Sequence, residues 1–159
     1  MKEILFYLFG VISAVLALLS VTSKNVIKGG VALLGSFISL GAVYFTVGAE
    51  FVGIIQVIVY GGAIIVLYLF ALLTMDVKKI AEEKVRGSSA AAGAFLSILL
   101  MILLLLEASK IAGKVKPAVS GAKELALPLF FKYLLPFEIV SILLLVATIG
   151  AVAIARREE

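Results

Sequence analysis

Five long apolar runs divide the chain, at about Ile4 to Thr22, Gly29 to Gly48, Phe51 to Met75, Ser89 to Leu106 and Phe137 to Ile154. Each is long enough for a helix that crosses a hydrocarbon core about 30 Å thick at a rise of about 1.5 Å per residue. The pattern predicts an all-α integral membrane protein with five transmembrane helices, a single transmembrane domain over residues 1–159. The one substantial connection, residues 107–136, holds all three prolines, Pro117, Pro128 and Pro136. Within it, Leu125 to Leu135 is apolar but broken by Pro128 and Lys132, too short to cross and suited to the membrane interface or a partner's surface.

The third run, FVGIIQVIVYGGAIIVLYLFALLTM, is interrupted at its middle by Tyr60-Gly61-Gly62. Each glycine disfavours a helix interior by about 1 kcal/mol relative to alanine, so lipid spanning alone does not explain the pair. One explanation is packing: small residues let helices approach closely, and Gly61, Gly62 and Ala63 would form such a notch. The second run is rich in small residues as well, with Gly29, Gly30, Gly35, Ser36, Ser39 and Gly41, and close packing is expected there. The fourth has no polar residue between Leu100 and Leu106 and is expected to face lipid.

Composition agrees with the pattern. Apolar residues make up 64% of the chain and the mean hydropathy is +1.25, against about 45–50% apolar in soluble domains. The start could be taken for a secretory signal, but its apolar stretch exceeds the roughly 7–15 residues of a signal core, so it is expected to remain as the first span. The chain has no Cys, His or Trp, which excludes thiol catalysis, disulfides, imidazole ligation and cysteine-held iron–sulfur clusters on it.

A net charge of +4 reports topology rather than nucleic-acid binding, because the basic residues lie in short connections beside apolar runs. One side carries Lys24, Lys28, Lys78, Lys79, Lys84, Arg86, Arg156 and Arg157; the other carries Lys2 and five lysines spread through the long connection. The positive-inside rule then puts the N-terminus outside and the C-terminus in the cytoplasm. No ionisable residue falls near a midplane, where pumps and proton transporters normally keep one. Glu50 and Glu138 sit at the starts of the third and fifth spans, suited either to helix capping or to a partner contact or proton access. Asp76 with Lys78 and Lys79 reads as a solvated helix end. Gln56 and Tyr60, four apart, share a face of the third helix and should meet protein or water.

Glu50-Phe51, Gln56, Val59-Tyr60-Gly61-Gly62-Ala63-Ile64-Ile65-Val66-Leu67 and Phe70 resemble the signature of the J subunit of proton-translocating NADH:quinone oxidoreductase, respiratory complex I, equivalent to mitochondrial subunit 6. The long connection before the last span and the sequence Pro136-Phe137-Glu138-Ile139 onward are similar to the same family. Where that family often opens its second span with Asn-Pro-Val, this chain has Asn25-Val26-Ile27. The resemblance implies a non-catalytic subunit in the membrane arm, multi-pass in a prokaryotic inner (plasma) membrane. Its implied neighbours are the quinone-site H subunit, the A subunit, the small K subunit and the antiporter-like N subunit. NADH, FMN, iron–sulfur clusters and quinone would be used by other subunits, with no cofactor on this one.

The resemblance also implies a π-bulge in the third helix near Tyr60, Gly61 and Gly62, switching between α and π forms to gate a hydrated path. Val66, Leu67 and Phe70 would follow on the next turns. Adjacent glycines lower the resistance of a turn to an inserted residue, and such bulges recur at functional sites. The same resemblance admits an equivalent subunit of a membrane-bound hydrogenase, of an oxidoreductase with ferredoxin or another donor, or of a cation/proton antiporter complex. An autonomous transporter or channel would show midplane charges or inverted repeats, and a pure scaffold would use the glycines for packing alone.

Overall fold

The computed structural model describes residues 1–74, 93, 95–104, 106 and 121–156. The end of the third expected span, the start of the fourth, residues 107–120 of the long connection, and Asp76, Lys78 and Lys79 lie outside the described residues. The chain forms two compact units, Met1–Ala118 and Val119–Glu159.

The first unit opens with α1, Lys2–Thr22, and α2, Val26–Thr46. Ser23, in an extended conformation, ends α1. The Asn25 side chain starts α2 by accepting the Lys28 backbone N–H at 3.0 Å, so one of the four unpaired amides of a helix start is satisfied. Gly29 and Gly30 are therefore inside the helix, and the start comes earlier than hydropathy suggests because the cap, not the apolar run, sets it. The far end of α2 closes at Gly48, whose φ of +80° is the left-handed conformation in which glycine carries no Cβ clash. The Gly48 N–H then donates to the Phe45 carbonyl and the Ala49 N–H to the Tyr44 carbonyl, the paired bonds of a Schellman ending.

The third span, Glu50–Thr74, is 25 residues long. It consists of α3, Glu50–Ile55, a nine-residue π-helical segment π1, Gln56–Ile64, and α4, Ile65–Thr74. Helix α2 packs against α1 and against all three parts of this span. Towards α1, Ser13 and Ser36 each donate to the other's backbone carbonyl, at 3.0 and 2.9 Å. Towards the third span the contact is made over glycine. A Cβ added at Gly41 would lie 2.5 Å from Val57 Cγ2 and 3.3 Å from the Gly53 carbonyl oxygen, and one at Gly53 would lie 3.1 Å from the Gly41 carbonyl oxygen. The backbones of α2 and α3 thus touch directly, the close approach that small residues permit in lipid. Further along the chain, α5, Phe95–Leu104, is apolar and its side chains are exposed; ten residues extend about 15 Å, roughly half a hydrocarbon core.

In the second unit α6, Ala122–Phe131, is followed by α7, Leu134–Ala155. The connection expected from the sequence is therefore helical over its last part. The Gly121 N–H donates to Glu124 Oε2 at 3.4 Å at the start of α6. Pro128 lies inside the helix and withholds an N–H from the Glu124 carbonyl, yet its own carbonyl accepts from both Lys132 and Tyr133, at 2.8 and 3.0 Å. That shared acceptor ends α6 and turns the chain into α7, across which Phe130 and Phe137 meet edge to face at 5.1 Å. In α7 the hydroxyls of Ser141 and Thr148 donate to carbonyls four residues back, so neither asks for a partner in lipid. Among the described residues, α1, α2, the third span and α7 are the four helices long and apolar enough to cross a membrane.

Candidate functional site

The extra residue of π1 changes which side chains the third span presents. Its buried positions are Gly53, Gln56, Gly61, Ile65 and Leu72. The step of three before Gln56 and those of four and seven after Gly61 keep the α-helical period, but the step between those two is five. The pattern is carried by backbone bonds: the Gln56 N–H donates to the carbonyl of Val52, four residues back, whereas the Ile65 N–H reaches that of Tyr60, five back. An unbroken α-helix continuing from Gly53 and Gln56 would instead bring Tyr60 and Ile64 to the α2 side. In the structure both are exposed.

Gln56 and Tyr60 consequently part company. Gln56 is 7% exposed, with its stem 3.8 Å from where a Gly41 Cβ would be, and its amide makes no hydrogen bond among the described residues. Tyr60 is 45% exposed, its ring edge-on to Phe37 of α2 at 5.8 Å. The phenol sits on the rim of the helix contact and the Gln56 stem inside it.

The two glycines are not crowded. A Cβ at Gly61 would come no nearer than 3.6 Å to Ile38, and one at Gly62 would come to 3.6 Å from the Val57 carbonyl oxygen, both ordinary contacts. Within this chain the packing notch lies at Gly30, Gly41 and Gly53 instead. Gly41 and Gly30 belong to the small-residue run that composition had marked; Gly53 and Phe37 carried no signal in an apolar sequence. Val66, Leu67 and Phe70 are exposed on the far side of α4, where they form no layer with α2.

Glu50 is the first residue of α3 and exposed, an acid in the first turn beside the positive end of the helix. Glu138 differs from its expected position. Helix α7 begins two residues before Pro136, so Pro136 is its third residue and Glu138 its fifth, and the first turn holds no acid. Proline fits there because first-turn amides have no partner within the helix. Among the described residues no group of three His, Cys, Asp or Glu side chains could hold a metal ion.

A sequence model of the family described as NADH-ubiquinone/plastoquinone oxidoreductase chain 6 matches residues 16–154. The chain is 32% identical to NADH-quinone oxidoreductase subunit J of Rhodobacter capsulatus, over 97% of this chain and 81% of that one. It is 36% identical to NAD(P)H-quinone oxidoreductase chain 6 of Leptolyngbya boryana, over 85% and 70%. To subunit J of Buchnera aphidicola subsp. Schizaphis graminum it is 30% identical over 99% of both.

Proposed function

The chain belongs to the NADH-ubiquinone/plastoquinone oxidoreductase chain 6 family, and on that premise we propose that it gates proton movement in the membrane arm of a complex I through a change of helical form in π1. It is a subunit without a redox centre: with no Cys or His its donor set does not fit a cysteine-held iron–sulfur cluster or a haem held by imidazole or thiolate, and electron transfer belongs to other subunits. Its neighbours are the quinone-site, A, K and antiporter-like N subunits, and its five spans run from an outside N-terminus to a cytoplasmic C-terminus.

The observation that carries the gate is the five-residue step between Gln56 and Gly61, with glycines beside it that packing within the chain does not require. Passing π1 into α form would rotate α4 against α3 by about one residue, roughly 100°, sweeping Leu67 and Phe70 around the helix axis. Those bulky groups would enter or leave a water path, to which Tyr60 supplies a hydroxyl and Gln56 an amide. The chain has no midplane charge to move a proton itself, so it acts on protons that neighbouring subunits carry.

Replacing both glycines by leucine (G61L/G62L) tests this in the purified, reconstituted complex. Quinone-linked proton pumping should fall away while donor oxidation by an artificial acceptor at the peripheral arm persists; normal pumping would show that the pair serves packing alone. The alanine pair, whose methyls fit, separates loss of flexibility from crowding. The same preparation shows whether the assembly oxidises NADH, which distinguishes complex I from an assembly with another donor.

A further inference from the structure

Two adjoining hollows between the start of α1 and the end of α2 are joined through Lys2 and Thr46, which line both. One, of about 230 Å³, is polar at its rim, where Lys2, Glu3, Tyr7 and Thr46 surround it. The other, of about 300 Å³, is a groove walled by Leu5, Phe9, Ala42 and Phe45. Lys2, Leu5 and Phe9 follow one another down α1, and Phe45 and Ala42 run the same way along α2, so the groove descends from the ends of the two spans towards the membrane interior.

We propose that this composite site binds a phospholipid with a phosphoethanolamine headgroup, its acyl chain in the groove and its headgroup in the polar hollow. The chemistry of the rim selects the headgroup. Lys2 offers a cation to the phosphate. Glu3 offers a carboxylate to the primary ammonium, and the Thr46 hydroxyl, already donating to the Val43 carbonyl at 2.7 Å, has only acceptor capacity left for an ammonium N–H. Neither Lys2 nor Glu3 is engaged in an ion pair among the described residues. Phosphatidylglycerol carries the same phosphate but no cation to pair with Glu3, so its net negative charge stays beside that carboxylate, and a trimethylated ammonium would have no N–H to give. Spans end at the headgroup layer, which places the charged rim and the apolar walls at the depths such a lipid requires.

The test uses the whole complex, purified through this chain, with p-benzoylphenylalanine in place of Phe9 or, on the opposite wall, Phe45. It is reconstituted in vesicles of phosphatidylcholine mixed equally with phosphatidylethanolamine or with phosphatidylglycerol, irradiated, and the adducts are weighed. Phosphatidylethanolamine adducts should exceed phosphatidylglycerol adducts about tenfold, the factor of one charge-assisted contact, and the K2Q/E3Q variant should remove that preference. A polypeptide adduct would show that a neighbouring subunit fills the groove and would overturn the proposal. Equal lipid yields, a preference untouched by K2Q/E3Q, or no adduct from either wall would overturn it too. If one benzophenone variant fails to assemble, the other wall decides.

Discussion

A methyl group added at Gly29 would sit 2.8 Å from the carbonyl oxygen of Ser20, whereas one added at Gly10 would have nothing within 4 Å. Both glycines are interior to helices in the same helix pair, so propensity alone would favour alanine at each by about 1 kcal/mol. The obstacle at Gly29 is backbone, which cannot rotate aside as a side chain can. G29A is therefore expected to destabilise the α1–α2 pair by about 1–3 kcal/mol, the usual penalty of overpacking, and G10A to be neutral or stabilising. Denaturant titration of the full chain in detergent, with helix content as readout, distinguishes them; equal stability of the two variants would contradict the close approach at Ser20. Gly61 and Gly62 belong with neither. Their added methyls make ordinary contacts, so alanine there should leave this packing intact, and any loss of pumping would then reflect the conformations open to π1.

At the scale of the element, the decisive feature is one surplus residue between Gln56 and Gly61. Removing Ile58, whose side chain is exposed, shortens that step from five residues to four and gives Gly53, Gln56, Gly61, Ile65 and Leu72 one continuous α-helical face. Because both halves keep their contacts with α2, the deletion variant should assemble, and under the gating proposal its pumping per electron pair should be strongly reduced. Undiminished pumping would make the π form dispensable. This surplus could not be read from periodicity: nearly every position in the third run is apolar, so no hydrophobic phase marks where one residue has been added. The sign in the sequence was the local weakness of Tyr60-Gly61-Gly62; Gln56 and Tyr60, expected on one face, differ in burial, at 7% and 45% exposed. The start of α2 was hidden differently, because Asn25 extends the helix into residues that hydropathy assigns to a connection. Helix α6 was legible only as an apolar stretch broken by Pro128 and Lys132 and too short to cross; the proline's carbonyl, accepting two amides at the end of α6, had no sequence signal.

For the whole molecule the open step is the crossing between α4 and α6, where α5 contributes ten apolar residues. Charge distribution argues for a fifth span there, since it would gather Lys24, Lys28, Arg156 and Arg157 on the cytoplasmic side and leave Lys132 outside. If α5 belonged to a segment that did not cross, α7 would be inverted, putting Lys132 inside and Arg156 outside. The absence of cysteine from the chain makes this directly measurable. Single cysteines in place of Ser23, between α1 and α2, and Lys132, between α6 and α7, can be tagged with a membrane-impermeant maleimide in right-side-out and inverted vesicles. With five spans, Ser23→Cys should label in inverted vesicles and Lys132→Cys in right-side-out ones. Labelling of both from the cytoplasmic side would leave only four crossings and reverse α7. The outcome also bears on Glu138, the fifth residue of α7: with five spans it stands near the outer face, and with four near the cytoplasmic one.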